Sequence, residues 1–220
     1  PPAGEPWGLG LTSDFHTRIY RRSAGSWQPM VAPELRYGEL GGLKVFDSQN
    51  ALAVGESGSI LRYRNGAWTA ISRSTPDVHL RSVYQISDDL FIAGGGGDGG
   101  GDEQGKIYLS SGRTWSEFAV FDPTDRFLDV WGTGTSNLFA VGLYGRVKRF
   151  NGTSWTATEI PGLNALNQIW GVEANNVYAA GFDNDVVKVF KLNGSQWVPQ
   201  SIPGGPRTPL SFFGFGPSDI

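Results

Sequence analysis

Three runs decide the fold: Phe127-Leu128-Asp129-Val130-Trp131-Gly132, Asn137-Leu138-Phe139-Ala140-Val141-Gly142, and Gly145-Arg146-Val147-Lys148-Arg149-Phe150-Asn151-Gly152-Thr153-Ser154-Trp155. Each is rich in β-branched and aromatic residues and is bounded by Gly, Asn or Ser, so each reads as a short strand. Strands are expected at 127–131, 138–142 and 146–150, with a fourth opening at Trp155. The Asn151-Gly152 pair predicts a tight hairpin in which both central residues take positive φ.

Working outward, the same marks recur along the chain. Trp27, Trp68, Trp115, Trp155 and Trp197 each follow a Gly-containing turn and lie 41, 47, 40 and 42 residues apart. Upstream of each is a small apolar segment: Gly8-Leu9-Gly10, Ala53-Val54-Gly55, Ile92-Ala93-Gly94, Ala140-Val141-Gly142 and Ala179-Ala180-Gly181. Eight residues before each tryptophan stands Ile19, Ile60, Ile107, Val147 or Val189. Earlier in each unit comes an apolar-aromatic pair: Val45-Phe46, Val83-Tyr84, Val130-Trp131, Ile169-Trp170 and Phe212-Phe213. A four-stranded antiparallel unit at this period is a propeller blade. The recurring tryptophans and strand-one aromatics are expected to pack between blades.

The fold predicted is all-β: one domain over 1–220, a five-bladed β-propeller of four-stranded antiparallel blades. Its units are 7–30 plus 210–220, 40–73, 80–122, 127–162 and 166–204. The C-terminal strand (210–220) has the character of a first strand, which the N-terminal strands (7–30) lack. Joining them would close the ring and remove two open sheet edges.

Composition excludes several functions. The 18 Lys and Arg against 21 Asp and Glu give a net charge of −3, so no nucleic-acid partner is expected. No run approaches the roughly 18 apolar residues of a membrane helix, and no charged-then-apolar leader opens the chain, so no membrane insertion is expected. A first residue Pro1 in place of methionine is expected of a chain processed or excised from a precursor. There is no cysteine and only His16 and His79, which argues against disulfides, thiolate metal sites and a His-rich zinc centre.

The repeat resembles the Trp/Gly-marked propeller repeats of bacterial exported proteins, relatives of the sialidase-type repeat and of the photosystem II assembly-factor propellers. The resemblance implies a secreted protein, or one of the cell envelope or periplasm. It implies a binding scaffold more than a chemistry. Where the sialidase-type repeat has Asp before the turn glycine, this chain has Asn65, Asn151 and Asn193, which argues against sialidase activity.

The loops from strand two to strand three and from strand four to the next strand one are expected on one face. They carry acidic and aromatic residues suited to a protein or glycan partner: Asp14, His16, Glu56, Tyr144, Phe182, Asp183 and Asp185. Turn chemistry alone also favours Asp and Asn there. The Gly-rich tract 94–105 carries Asp98, Asp102 and Glu103, oxygen donors for a possible calcium ion, although its spacing fits no known calcium loop and a flexible hairpin explains it equally. No other cofactor is expected.

Arg21, Arg62, Arg149 and Lys191 recur six residues before their tryptophans and are expected to lay their stems along the strand. No Cys nucleophile, Gly-x-Ser-x-Gly elbow or His-centred triad is present. Asp183/Asp185 and Asp122/Asp125 are the carboxylate pairs that could serve glycoside hydrolysis. The function expected is a non-catalytic binding module. The alternatives are a lectin with sites between blades and a glycan or phosphoester hydrolase at the central opening.

Overall fold

The computed structural model describes residues 6–13, 16–33, 39–71, 78–87, 90–96, 104–111, 114–184 and 186–201. Alternating apolar segments broken at Gly and Asn produce strands joined in five antiparallel sheets. The first sheet has three strands, β1 (Trp7–Leu11), β2 (Thr17–Ser23) and β3 (Ser26–Pro29). The second holds β4 (Leu40–Asp47), β5 (Asn50–Gly55), β6 (Ile60–Arg64) and β7 (Ala67–Ala70). The third holds β8 (His79–Ser87), β9 (Leu90–Gly96), β10 (Lys106–Ser111) and β11 (Thr114–Val120). The fourth holds β12 (Phe127–Gly134), β13 (Asn137–Gly142), β14 (Arg146–Phe150) and β15 (Trp155–Glu159). The fifth holds β16 (Ala165–Glu173), β17 (Asn176–Asp183), β18 (Val186–Asn193) and β19 (Gln196–Gln200).

Each sheet runs in simple up-and-down order. The first strands of successive sheets, β4, β8, β12 and β16, pack side by side about a common axis. The core is a series of apolar layers between sheets. Ile19, Leu40, Leu61 and Trp68 with Trp7 and Leu9 fill the first, and Leu52, Ile60, Leu80, Phe91 and Trp115 fill the second. Ile92, Ile107, Phe127 and Leu138 with Trp155 form the third, and Trp131, Phe139, Leu166 and Phe190 with Trp197 the fourth. Sheets stacked through such layers are the architecture of a propeller.

A glycine late in the second strand of each four-stranded sheet has a steric cause. A Cβ at Gly55, Gly95, Gly142 or Gly181 would collide with the carbonyl oxygen of Glu39, His79, Arg126 or Ala165. The bare backbone admits the incoming first strand, which bulges one residue further on. In the third unit this glycine is Gly95, one residue later than the sequence pattern put it.

Register corrects a second assignment. Ala53, Ala93, Ala140 and Ala179 pair with Leu43, Val83, Val130 and Ile169. The counterpart of Val83-Tyr84 on β4 is therefore Leu43-Lys44, not Val45-Phe46. Residue type misled because the one apolar-aromatic pair of β4, Val45-Phe46, lies two residues beyond the ladder position, where Lys44 stands in place of an aromatic residue.

The turns divide as well. Asn65 (φ 53°) and Gly66 (φ 85°) are both left-handed, as expected. At the other two Asn-Gly pairs only the glycine is, Gly152 at φ 101° and Gly194 at φ 63°. Asn151 instead folds a longer turn, its Oδ1 accepting from the N–H of Thr153 at 3.0 Å and of Ser154 at 2.9 Å.

Trp68 and Trp115 are buried and Trp155 and Trp197 half-buried, but Trp27 is 51% exposed. Inter-blade packing thus does not extend to Trp27, which stands on the outer strand of the three-stranded sheet. Among the described residues β1 has a partner on one edge only, whereas its counterparts β5, β9, β13 and β17 are paired on both. Residues 210–220 lie outside the described residues.

Candidate functional site

The two sets of loops do emerge together, tied by backbone hydrogen bonds. The Gly58 N–H donates to the Val78 carbonyl at 2.6 Å, and the Tyr144 N–H to the Asn164 carbonyl at 2.9 Å. Asn164 is a junction between the fourth and fifth sheets. Its own N–H donates to the Phe182 carbonyl at 2.9 Å, and its Oδ1 accepts from the Asn184 N–H at 2.8 Å. Tyr144, Phe182 and Asp183 are therefore brought to one place by a residue that the sequence reading missed. Only its position in a strand-four-to-one loop could have pointed to it.

Tyr144 is the notable member. Its backbone is left-handed (φ 59°), an uncommon state for a bulky residue, and the side chain is 58% exposed. Ser57 (φ 46°) and Asn184 (φ 43°) take the same conformation at the matching loop position, so the strain belongs to the loop type. The large exposed ring is particular to Tyr144. Asp183 accepts from the Asn184 side-chain amide at 2.9 Å.

Glu56 has a structural employment. Its Oε2 accepts from the Glu39 N–H at 3.1 Å, and its Oε1 lies 3.8 Å from His79 Nδ1. The bond to Glu39 ties the loop to the segment entering β4, and the other oxygen lies beside the first residue of β8. His16 is exposed at the head of β2, its carbonyl accepting from the Thr12 hydroxyl at 2.8 Å. Asp14, Asp185, Asp98, Asp102 and Glu103 lie outside the described residues. Among those described, no group of three His, Asp or Glu could hold a metal.

Asp122 and Asp125 are engaged by different partners. Asp125 is buried between Arg146 Nη1 at 2.9 Å and Lys148 Nζ at 2.8 Å. Asp122 accepts from the Thr124 N–H and hydroxyl at 3.0 and 2.7 Å, which holds its pKa below the usual carboxylate range. The recurring basic side chains lie over rings: Arg21 over Trp7, Arg62 over Phe91, Arg149 over Phe139 and Lys191 over Tyr178, at 5.0–5.3 Å from the ring centroids.

At the axis the described first strands β4, β8, β12 and β16 line an open cavity of about 330 Å³. Two rows of side chains, alternating along the strands, contribute to its wall: Ser82, Asp129 and Gln168 in one, Lys44, Tyr84, Trp131 and Trp170 in the other. Asp129 joins three sheets. Its Oδ1 accepts from the Ser82 hydroxyl at 2.6 Å and from its neighbour Val130 N–H at 2.9 Å, and its Oδ2 from the Ile169 N–H at 2.8 Å. Burial dominates and pushes its pKa up to about 6, against the pull of these donors and of Lys44. Burial likewise lowers the Lys44 pKa, partly offset by Asp129, and Nζ rests 5.1 Å from the Tyr84 ring centroid. Burial raises the Tyr84 pKa. The Trp131 indole N–H beside it offsets part of that rise, although the two do not meet in hydrogen-bonding geometry.

No family model matches the chain, and no curated protein does. Solved structures do. The chain is similar to YCF48 bound to D1 peptide, with TM-score 0.58 and 15% identity over 83% of this chain and 60% of that one. It is similar to YCF48 from Cyanidioschyzon merolae, with TM-score 0.56 and 13% identity over 83% of this chain and 66% of that one. A protein of unknown function from Bacteroides caccae matches with TM-score 0.58 and 10% identity over 89% of this chain and 69% of that one. The chain is a β-propeller in fold. It spans about three fifths to two thirds of the length of the YCF48 structures it matches.

No helix among the described residues is long and apolar enough to cross a membrane.

Proposed function

We propose that this propeller is a non-catalytic interaction module whose loop-bearing face receives a protein partner, with Tyr144 at the centre of the contact. The observation that carries this reading is an aromatic side chain 58% exposed on a left-handed backbone whose N–H is held by the Asn164 carbonyl. A tyrosine displayed on a fixed stretch of backbone is the residue type that binding hot spots favour. The loops differ in length and content, which favours a single interface over the repeated sites of a lectin. YCF48 has been seen with a D1 peptide, and we carry that mode of use here as part of the proposal. The protein works in this reading outside the bacterial cytoplasm, in the envelope or beyond it.

The ring closes, in the same proposal, by addition of residues 210–220 to the open edge of β1 as the missing first strand of the first sheet. Among the described residues β1 pairs on one edge only, which leaves room for that strand. The module is tested by selecting binders from a random peptide-display library on the immobilised 220-residue chain, with a glycan array run in parallel. Peptides that bind the parent and lose at least tenfold in affinity for Tyr144→Ser support the proposal. Binding confined to glycans, or indifferent to Tyr144, overturns it.

A further inference from the structure

Three Asn-Gly pairs occur in the chain, Asn65-Gly66, Asn151-Gly152 and Asn193-Gly194, each exposed and each between the third and fourth strands of a sheet. Asparagine before glycine is chemically reactive, because no Cβ on the glycine shields its N–H from the side-chain amide carbon of the asparagine. The dipeptides are the same, but the structure holds them differently. Asn151 Oδ1 accepts from the Thr153 N–H at 3.0 Å, the Thr153 hydroxyl at 2.9 Å and the Ser154 N–H at 2.9 Å. Its own N–H donates to the Ser154 carbonyl at 3.2 Å. Asn193 is the last ladder residue of β18, paired with Gln196. Asn65 has neither restraint. The ladder closes at Arg64 and Ala67, which leaves Asn65 and Gly66 as the two turn residues, at φ 53° and 85°. Among the described residues no hydrogen bond holds the Asn65 side chain, and nothing lies within 4 Å of where a Gly66 Cβ would stand. The strand that follows, β7, has four residues and pairs with β6 alone, so the tip of this hairpin opens at little cost.

We infer that Asn65 is a modification site, where the chain deamidates and rearranges on its own through a cyclic imide. The Gly66 nitrogen gives up its proton and bonds to Asn65 Cγ. The bond from Cγ to the side-chain nitrogen breaks, and ammonia leaves with that proton. Water then opens the imide. Attack at Cγ restores the ordinary backbone with an aspartate, and attack at the Asn65 backbone carbonyl carbon routes the chain through Cβ and Cγ as isoaspartate. No oxidant, metal or cofactor enters. Either product makes the net charge one unit more negative than −3, and the second adds a methylene to the main chain of a two-residue turn. Ring closure must swing the carboxamide against the backbone, so the three bonds on Asn151 Oδ1 and the ladder pairing of Asn193 have to break first. The Asn65 turn lies at the end of the sheets opposite the loop-bearing face, so this inference stands or falls independently of the interaction module proposed above.

Peptide mapping by mass spectrometry tests it on the folded 220-residue chain, kept in mildly alkaline buffer and sampled over weeks. A gain of one mass unit should appear in the peptide carrying Asn65 at least tenfold faster than in the one carrying Asn151, with Asn193 between them. Aspartyl and isoaspartyl forms should both be present, told apart by an Asp-specific endoprotease that cuts only at the first, because the imide yields both. In guanidinium chloride the three rates should converge, since the reacting dipeptides are the same and only the fold separates them. Conversion of Asn65 no faster than that of Asn151 overturns the inference. So does aspartate without isoaspartate, which would mean direct hydrolysis, or the same spread of rates in the unfolded chain.

Discussion

The backbone N–H of Ile169 donates to the carboxylate of Asp129 at 2.8 Å across 40 residues of sequence and from one sheet to the next. A first strand has a free inner edge, and this bond satisfies an N–H that no neighbouring strand reaches. Ser82, 47 residues upstream and one sheet back, is held by the other oxygen at 2.6 Å. One side chain thereby fixes the spacing of three blades at the axis.

That bond carries a pH signature. The folded pKa of Asp129 is raised to about 6 from 3.8, so between about pH 4 and pH 6 the folded chain holds a proton that the unfolded chain has released. Stability therefore falls as pH rises through this window, by roughly 3 kcal/mol from this group. Asp47 and Asp122, with lowered values, act in the opposite direction and lose their contribution as pH falls. Urea denaturation of the parent and of Asp129→Asn from pH 4 to pH 7 isolates the effect. The stability difference should shift in favour of the variant as pH rises, and Asp129→Ala should be less stable than Asp129→Asn by about 1–3 kcal/mol for the orphaned donors.

Two tryptophans at the same repeat position should behave differently. Trp155 packs against Phe118, Phe121 and Phe150 with centroids 5.2–6.0 Å away. Trp27 is 51% exposed. Trp155→Ala is expected to cost about 3 kcal/mol and Trp27→Ala less than about 1. Denaturant midpoints of the two variants give the comparison.

Tyr144 should show a trade of stability against binding. Glycine has no Cβ penalty at φ 59°, so Tyr144→Gly should raise stability by up to about 1 kcal/mol. The same change should abolish binding of the peptides selected on the loop-bearing face. Thermal melts paired with affinity measurements test both halves.

Closure by the C-terminal strand predicts a loss of cooperativity on deletion of residues 210–220. The first sheet would lose its inner strand and leave Trp7 and Leu9, which pack against the second sheet, beside an open edge. A broader melting transition at lower temperature is expected. A truncated chain that melts as sharply and at the same temperature would exclude this form of closure.

The amino-acid sequence by itself determined the repeat, the strands within it and the four-stranded unit. Each of those rests on local chemistry: alternation along a strand, Gly where a carbonyl crowds the backbone, Gly or Asn at a turn, Trp against the next sheet. It also grouped the loops correctly, because up-and-down sheets alternate their ends. Only the tertiary structure decided which residues share the axis. Lys44 takes the place of an aromatic residue there, and Asp129 meets Ser82 and Ile169, because a stack of blades brings together one residue from each repeat. Within its own repeat Lys44 is one basic residue in an apolar run. It becomes a cation among three rings only when register, set by backbone pairing forty residues at a time, aligns four strands around a common cavity.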